Sequence, residues 1–114
     1  MIARIWRGWT TPENADTYQR IVSQEVLPGI AGRNLDGYHG AYLLRRDLEG
    51  EVEFATIMLF DSLSQVRAFA GEDYEAAYVP PRARAVLARF EERSAHYDTL
   101  LRPPGPLKDA SAPA

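Results

Sequence analysis

Apolar residues near the start of the chain change from one spacing to another. Residues 2–9, IARIWRGW, alternate with a period of two, which predicts a β-strand. The apolar positions Ala15, Tyr18, Val22 and Val26 then recur at intervals of three and four, which predicts an amphipathic helix. The chain is therefore expected to begin with a strand followed by a helix.

Capping residues predict the limits of that helix. Thr11 ahead of Pro12 fits an N-cap with proline in the first turn, and Thr10 with Glu13 offers a rival capping box. The Pro-Gly pair at 28–29 predicts the end of the helix, because proline removes a backbone donor and glycine favours the terminating conformation.

The remaining pattern predicts a hairpin, further helix and a closing strand. Two strand-like runs, 38–46 and 52–60, flank the turn DLEGE and predict an antiparallel pair. Residues 61–71 predict a second helix, and helical spacing resumes over 83–90. Alternation returns in 94–101, SAHYDTLL, which predicts the last strand.

This order of elements predicts the fold class. Strand, helix, strand, strand, helical segment and strand form a ferredoxin-like α+β pattern, βαββαβ, with an antiparallel sheet. We assign it to residues 1–101, and we expect the Pro- and Ala-rich residues 102–114 to be a disordered tail.

The third predicted strand is apolar on both of its faces. One face carries Val52, Phe54, Met58 and Phe60, and the other carries Ala55, Ile57 and Leu59. Two or three short helices can cover only one face of such a sheet, so the other face needs a different cover. We therefore predict a homodimer in which two copies pack sheet to sheet.

Composition and charge remove several classes of function. The chain has 114 residues, 46% of them hydrophobic and 25% charged, and its net charge of -3 gives no electrostatic case for binding nucleic acid or an anionic membrane. It has no cysteine, which excludes disulfides, thiolate nucleophiles and iron–sulfur clusters. The start MIARIW has no signal-peptide pattern and no apolar run could span a bilayer, so a cytoplasmic protein is the expectation.

Three stretches of the sequence resemble the antibiotic biosynthesis monooxygenase domain family. They are the start MIARIW, the segment LFDSLSQVRAFAGEDYEAAYVPP and the closing HYD, and the resemblance spans about residues 1–100. It implies ferredoxin-like units that pair into a dimeric α/β barrel. It also implies cofactor-independent oxidation of a small aromatic or polyketide-derived compound by O₂. Haem-degrading members carry asparagine, tryptophan and histidine where this chain has Arg7, Phe69 and Tyr78, so haem degradation is not expected.

The pocket that the resemblance implies lies between the sheet and the helices. Its expected catalytic residues are Arg7, Tyr78 and His96, and its expected substrate-binding residues are Trp9, Tyr18, Phe69 and Tyr74. Arginine would stabilise a developing phenolate or peroxide, aromatic rings would stack on a planar substrate, and a tyrosine or histidine would move a proton. We expect no metal and no cofactor, since no phosphate-binding glycine loop or ligand-spaced histidine and carboxylate set is present.

Each of these residues also has a purely structural interpretation. Trp6 and Trp9 could be core or interface anchors, and Arg7 could form a salt bridge with an acidic residue of the helical layer or the partner. His96 alternates with Tyr97, so one of the two faces the helices and the other faces away, and the sequence does not decide which. The alternative to an oxygenase is therefore a non-oxidative ligand-binding protein, cyclase or isomerase on the same scaffold.

Overall fold

A hairpin of two long strands forms one side of an antiparallel sheet in the computed structural model, which describes residues 1–103 and 105–106. Its strands are β2 (Tyr38–Leu48) and β3 (Glu51–Phe60), and β1 (Ile2–Thr10) pairs with β3 along its whole length. Two short strands, β4 (Arg89–Phe90) and β5 (Ala95–Asp98), pair with the other edge of β1. The predicted α+β class with an antiparallel sheet is confirmed, and the order β2-β3-β1-β4 is compatible with a ferredoxin-like unit.

One helical stretch follows β1, and it continues beyond its predicted end. Helix α1 (Pro12–Ile21) begins as predicted, with the Thr11 hydroxyl accepting a hydrogen bond from the Asn14 amide at 3.3 Å. A π-helical turn (Val22–Val26) then leads directly into α2 (Leu27–Ala31), so the predicted end at 28–29 is wrong. The wider turn ahead of the proline accommodates the ring and the missing amide that would otherwise stop the helix.

The second half of the chain contains less helix than the sequence predicts. Helix α3 (Leu63–Ala70) agrees with the prediction, but helical structure near residue 83 is limited to α4 (Pro81–Arg84). The predicted continuation to residue 90 is wrong because β4 adds to the sheet there. The Ala88 amide donates to the Trp9 carbonyl at 2.8 Å, and these edge bonds replace the helical ones.

The end of the described chain forms a small β-bridge. Strand β6 (Leu101–Arg102) pairs with β7 (Gly105–Pro106). Residues 104 and 107–114 of the tail predicted to be disordered lie outside the described residues. Within the described ranges, no helix is long and apolar enough to cross a membrane.

The two faces of the sheet have different surroundings. On the face under the helices, Val52, Phe54, Met58 and Phe60 of β3 are buried, and these four residues share one face as their alternation predicts. On the opposite face, here called the open face, Tyr42 and Tyr97 are 56% and 57% exposed. Residues 2, 4 and 6 of β1 are buried and point to the face under the helices. The side chains between them therefore point to the open face.

Candidate functional site

A small cavity lies between the sheet and the helices. Its volume is about 40 Å³, and its walls come from β1, β3, the π-helical turn and the segment between Tyr78 and α4. Trp6, Tyr18 and Met58 make much of the wall apolar or aromatic, whereas Arg4 and Ser94 contribute polar atoms. A cavity of this volume holds about two or three water molecules, so it accepts a larger ligand only if a wall moves.

Arg4 is the buried cation of this cavity. Its side chain lies on the helical face of β1 and the residue is 2% exposed. Nη1 donates to the Tyr74 carbonyl, and Nη2 donates to the Ala76 carbonyl at 2.9 Å. No carboxylate within residues 1–103 forms an ion pair with it. A buried charge ordinarily has an ionic partner, so this guanidinium lacks the counter-ion that such a group usually has.

Arg4 remains charged at neutral pH despite its burial. Desolvation lowers the pKa of the Arg4 guanidinium to about 10, which is still far above 7. The described hydrogen bonds use three of the five guanidinium N–H groups and leave Nε–H and one Nη2–H without a described partner. The side chain can therefore donate to an anion without breaking its bonds to the backbone.

His96 lies beside Arg4, which settles its orientation. Its Nε2 atom is 3.0 Å from Arg4 Nη1, and its ring meets Tyr74 edge-on at 5.1 Å between centroids. His96 therefore faces the helices and Tyr97 faces away. A guanidinium only donates, so Nε2 accepts and the imidazole is neutral with its proton on Nδ1, which is buried without a described partner.

Burial, followed by the positive charge of Arg4, lowers the pKa of His96, and Glu75 opposes this shift. Because the folded protein disfavours the imidazolium, His96 contributes to the stability of the fold at pH values above its pKa in the unfolded chain, which is near 6.5. This contribution is lost as the pH falls below that pKa. We expect an NMR titration to place the His96 midpoint below 6.5, and the Arg4→Met substitution to raise it by removing the nearby cation. A midpoint that does not move in Arg4→Met would contradict the assigned contact.

Ser94 provides a second unsatisfied polar group in the cavity. The residue is 5% exposed, its amide donates to the Glu75 carbonyl, and its hydroxyl has no hydrogen-bond partner in the described part of the chain. A buried hydroxyl without a partner carries a desolvation cost that a ligand or a water can remove. Arg4 and Ser94 together give the cavity a cationic donor and a neutral hydroxyl.

The structure groups the four predicted aromatic residues of the helical side around this cavity. Tyr18 is buried in its wall with its ring 4.7 Å from that of Phe54, and burial raises the pKa of its hydroxyl. Tyr78 also lines the cavity and packs against Phe69 at 5.0 Å. Phe69 and Tyr74 lie behind the wall, where Tyr74 holds Arg4 through its carbonyl.

Arg7 and Trp9 lie on the open face, away from this group. Arg7 is 46% exposed on its side chain and pairs with Glu91 through Nη2 at 2.8 Å and Nε at 3.2 Å. Trp9 packs beneath the guanidinium of Arg89, 3.9 Å from the ring centroid. The family resemblance implied that Arg7 and Trp9 line the pocket, but strand parity directs odd-numbered residues of β1 to the other face.

Arg4 is a candidate site residue that the sequence analysis missed. Both phases of β1 contain apolar residues and an arginine, so alternation alone does not indicate which phase is buried. The structure decides the phase, because Arg4 lies in phase with Ile2 and Trp6, and Trp6 is buried with its indole N–H donating to the Glu91 carbonyl.

The described residues contain no group of three or more histidine, aspartate or glutamate side chains placed to hold a metal ion. Neither a protein-family model nor a curated protein matches the chain.

Proposed function

We propose that the cavity beside Arg4 binds a small aromatic compound as an anion and that the protein oxidises this compound with O₂ without a cofactor. The observation that carries the proposal is Arg4, a buried cation without a carboxylate partner among residues 1–103, in a wall that is otherwise largely apolar and aromatic. Ligand sites typically combine such walls with a few convergent polar groups. The Ser94 hydroxyl, which has no hydrogen-bond partner among the described residues, supplies the second polar group.

The proposed reaction suits a substrate with an acidic methylene next to a phenolic ring system, as in an anthrone. Loss of one methylene proton gives a carbanion whose charge delocalises onto oxygen, where a fixed guanidinium stabilises it. O₂ then adds to the carbon, and the proton returns to form a hydroperoxide. Loss of water converts CH₂ into C=O, so the substrate supplies all four electrons, and one oxygen atom enters the ketone while the other leaves as water.

The contact between Arg4 and His96 offers a source for the proton step. Nε2 of His96 accepts from Arg4 Nη1, so it is not available as a base while this contact lasts. An anionic ligand that takes over this donor would free the Nε2 lone pair and partly neutralise the charge that lowers the pKa of His96. Ligand binding would then prepare His96 to accept a proton.

The sheet supports a further part of the proposal, a ferredoxin-like unit that pairs through its open face into a dimeric α/β barrel. That face carries an exposed apolar set comprising Tyr42, Leu44 and Tyr97. Charged side chains on its margin are already paired within the chain, as Arg46 is with Glu53 at 2.9 Å. Burial against a second copy would therefore remove apolar surface from water without leaving these charges unpaired.

Oxygen consumption tests the proposed reaction. We expect anthrone incubated with the protein in air to consume one O₂ per ketone formed, at a rate well above the protein-free background, and to form none under anaerobic conditions. Arg4→Met should lose this acceleration and Arg7→Met should retain it, because only Arg4 borders the cavity. Clear binding of anthrone-like and catechol-like compounds without oxygen-dependent product would contradict the oxygenase proposal.

A non-oxidative ligand-binding protein or isomerase is the second candidate. It is favoured by the hydrogen bond between Arg4 and His96 Nε2, which occupies the lone pair that a catalytic base would need. Under this alternative the same aromatic anions bind, but the bound compound is recovered unchanged or isomerised in the presence of air.

A further inference from the structure

A solvent-open groove lies directly outside the cavity. It has a volume of about 430 Å³ and runs between the helical stretch that follows β1 and the start of α4. Its lining includes Ile21, Gly29, Arg33 and Pro81. This volume lies within the range of about 300–1,000 Å³ that is typical of small-molecule sites, whereas the cavity is far smaller.

The groove and the cavity share a wall. Val26, Ile30, Tyr78 and Pro80 border both spaces and so form the shared wall. Tyr78 is 47% exposed and lies outside any helix or strand, and its ring packs against Phe69. Half-exposed side chains change rotamer readily, so Tyr78 is the part of the wall that can turn aside at least cost.

Two backbone features adjoin the cavity and the groove. The π-helical turn places Val22 in the cavity and Val26 in the shared wall, and such turns occur preferentially at functional sites. Gly29 lines the groove, and a Cβ atom built on it would meet no atom within 4 Å. The absence of a side chain at Gly29 therefore leaves empty volume that a ligand can occupy.

We propose that the cavity and the groove form one elongated site, divided by Tyr78, for aromatic anions of two or more fused rings. The anionic group binds Arg4 and Ser94, and the ring system extends past Tyr78 into the groove. This inference rests on the ligand site of the proposed function and specifies its substrate class. A single-ring anion would fill only the inner end, and an uncharged analogue would leave Arg4 without an ionic partner.

Titration calorimetry under nitrogen tests the inference with benzoate, 2-naphthoate and 2-naphthamide. We expect 2-naphthoate to bind about tenfold more tightly than benzoate because its second ring buries more apolar surface. We expect the amide to bind about tenfold more weakly than 2-naphthoate because it lacks the charge-assisted bonds to Arg4. Equal affinities for the acid and the amide would overturn the anionic end of the proposal.

A substitution in the groove tests the other end. Gly29→Leu should weaken 2-naphthoate binding by about tenfold through overpacking and leave benzoate binding within about twofold. Gly32→Leu is the matched control, because Gly32 is an exposed residue at the end of the same helix that does not line the groove, and an added Cβ there would come no closer than 3.4 Å to another residue. Leucine is the better helix former, so the melting temperature of Gly29→Leu should not fall.

Two results would overturn the elongated site. One is equal weakening of benzoate and 2-naphthoate by Gly29→Leu, and the other is no effect on either. Because these titrations exclude O₂, they are independent of turnover. If 2-naphthoate binds tightly and Gly29→Leu weakens that binding, but no oxygen is consumed, only the oxygenase proposal is rejected. If oxygen is consumed but Gly29→Leu does not change 2-naphthoate affinity, only the elongated site is rejected.

Discussion

Replacement of Arg4 with methionine is expected to weaken 2-naphthoate binding by about 10- to 150-fold, the equivalent of about 1.5–3 kcal/mol for a hydrogen bond to a charged group. The reason is that Arg4 is the cation in the cavity wall and already has its guanidinium fixed by the Tyr74 and Ala76 carbonyls. A preorganised donor in a water-poor site does not have to be ordered when the ligand arrives. The measurement is titration calorimetry at neutral pH.

Arg7→Met is the matched control for this substitution. Arg7 lies on the same strand but points to the open face and pairs with Glu91, so its loss should change 2-naphthoate affinity by less than about twofold. Methionine resembles the arginine stem in volume, and Arg4→Lys provides a second variant that keeps the charge. Equal weakening by both methionine substitutions, or no weakening by Arg4→Met, would contradict the assigned site.

Substitution of Leu44 by glutamate should convert the protein from a dimer to a monomer. Leu44 is exposed on the open face in the single chain, so the monomer tolerates a charge there, whereas burial of that charge against a second copy would be strongly unfavourable. Light scattering coupled to size-exclusion chromatography at micromolar concentration should report two chains for the wild type and one for Leu44→Glu.

Leu100→Glu is the control for the dimer experiment. Leu100 is 79% exposed but lies outside the strands of the sheet, so this variant should remain dimeric. A wild-type protein that elutes as a monomer at micromolar concentration would reject the sheet-to-sheet pairing. A Leu44→Glu variant that stays dimeric would place the interface elsewhere.

Local sequence signals predicted the fold where one interaction dominates. The Thr11 cap fixes the start of α1, since its hydroxyl accepts from the amide of Asn14, the third residue of the helix. The alternation of β3 likewise predicts which residues share a face, and Phe54 and Phe60 both face the helical layer, where they are completely buried. Both signals act within a few residues and need no knowledge of distant partners.

The sequence prediction failed where a distant partner decides the structure. Helical spacing around residues 83–90 is compatible with a helix. Phe90 instead pairs with Gly8 of β1, so the end of this segment forms a strand at the edge of the sheet. The choice between Arg4 and Arg7 has the same origin, because the partner of Arg7 is Glu91, which β4 brings to the edge of β1. The orientation of His96 follows from its pairing opposite Arg4 in the register of β5 with β1.

A crystal structure of the protein with bound 2-naphthoate tests the central claim most directly. We expect the carboxylate within hydrogen-bonding distance of the Arg4 guanidinium and the Ser94 hydroxyl, with the rings passing a displaced Tyr78 into the groove beside Gly29. Naphthoate bound on the open face against Arg7 and Arg89, with the Tyr78 wall closed and Arg4 untouched, would contradict the account.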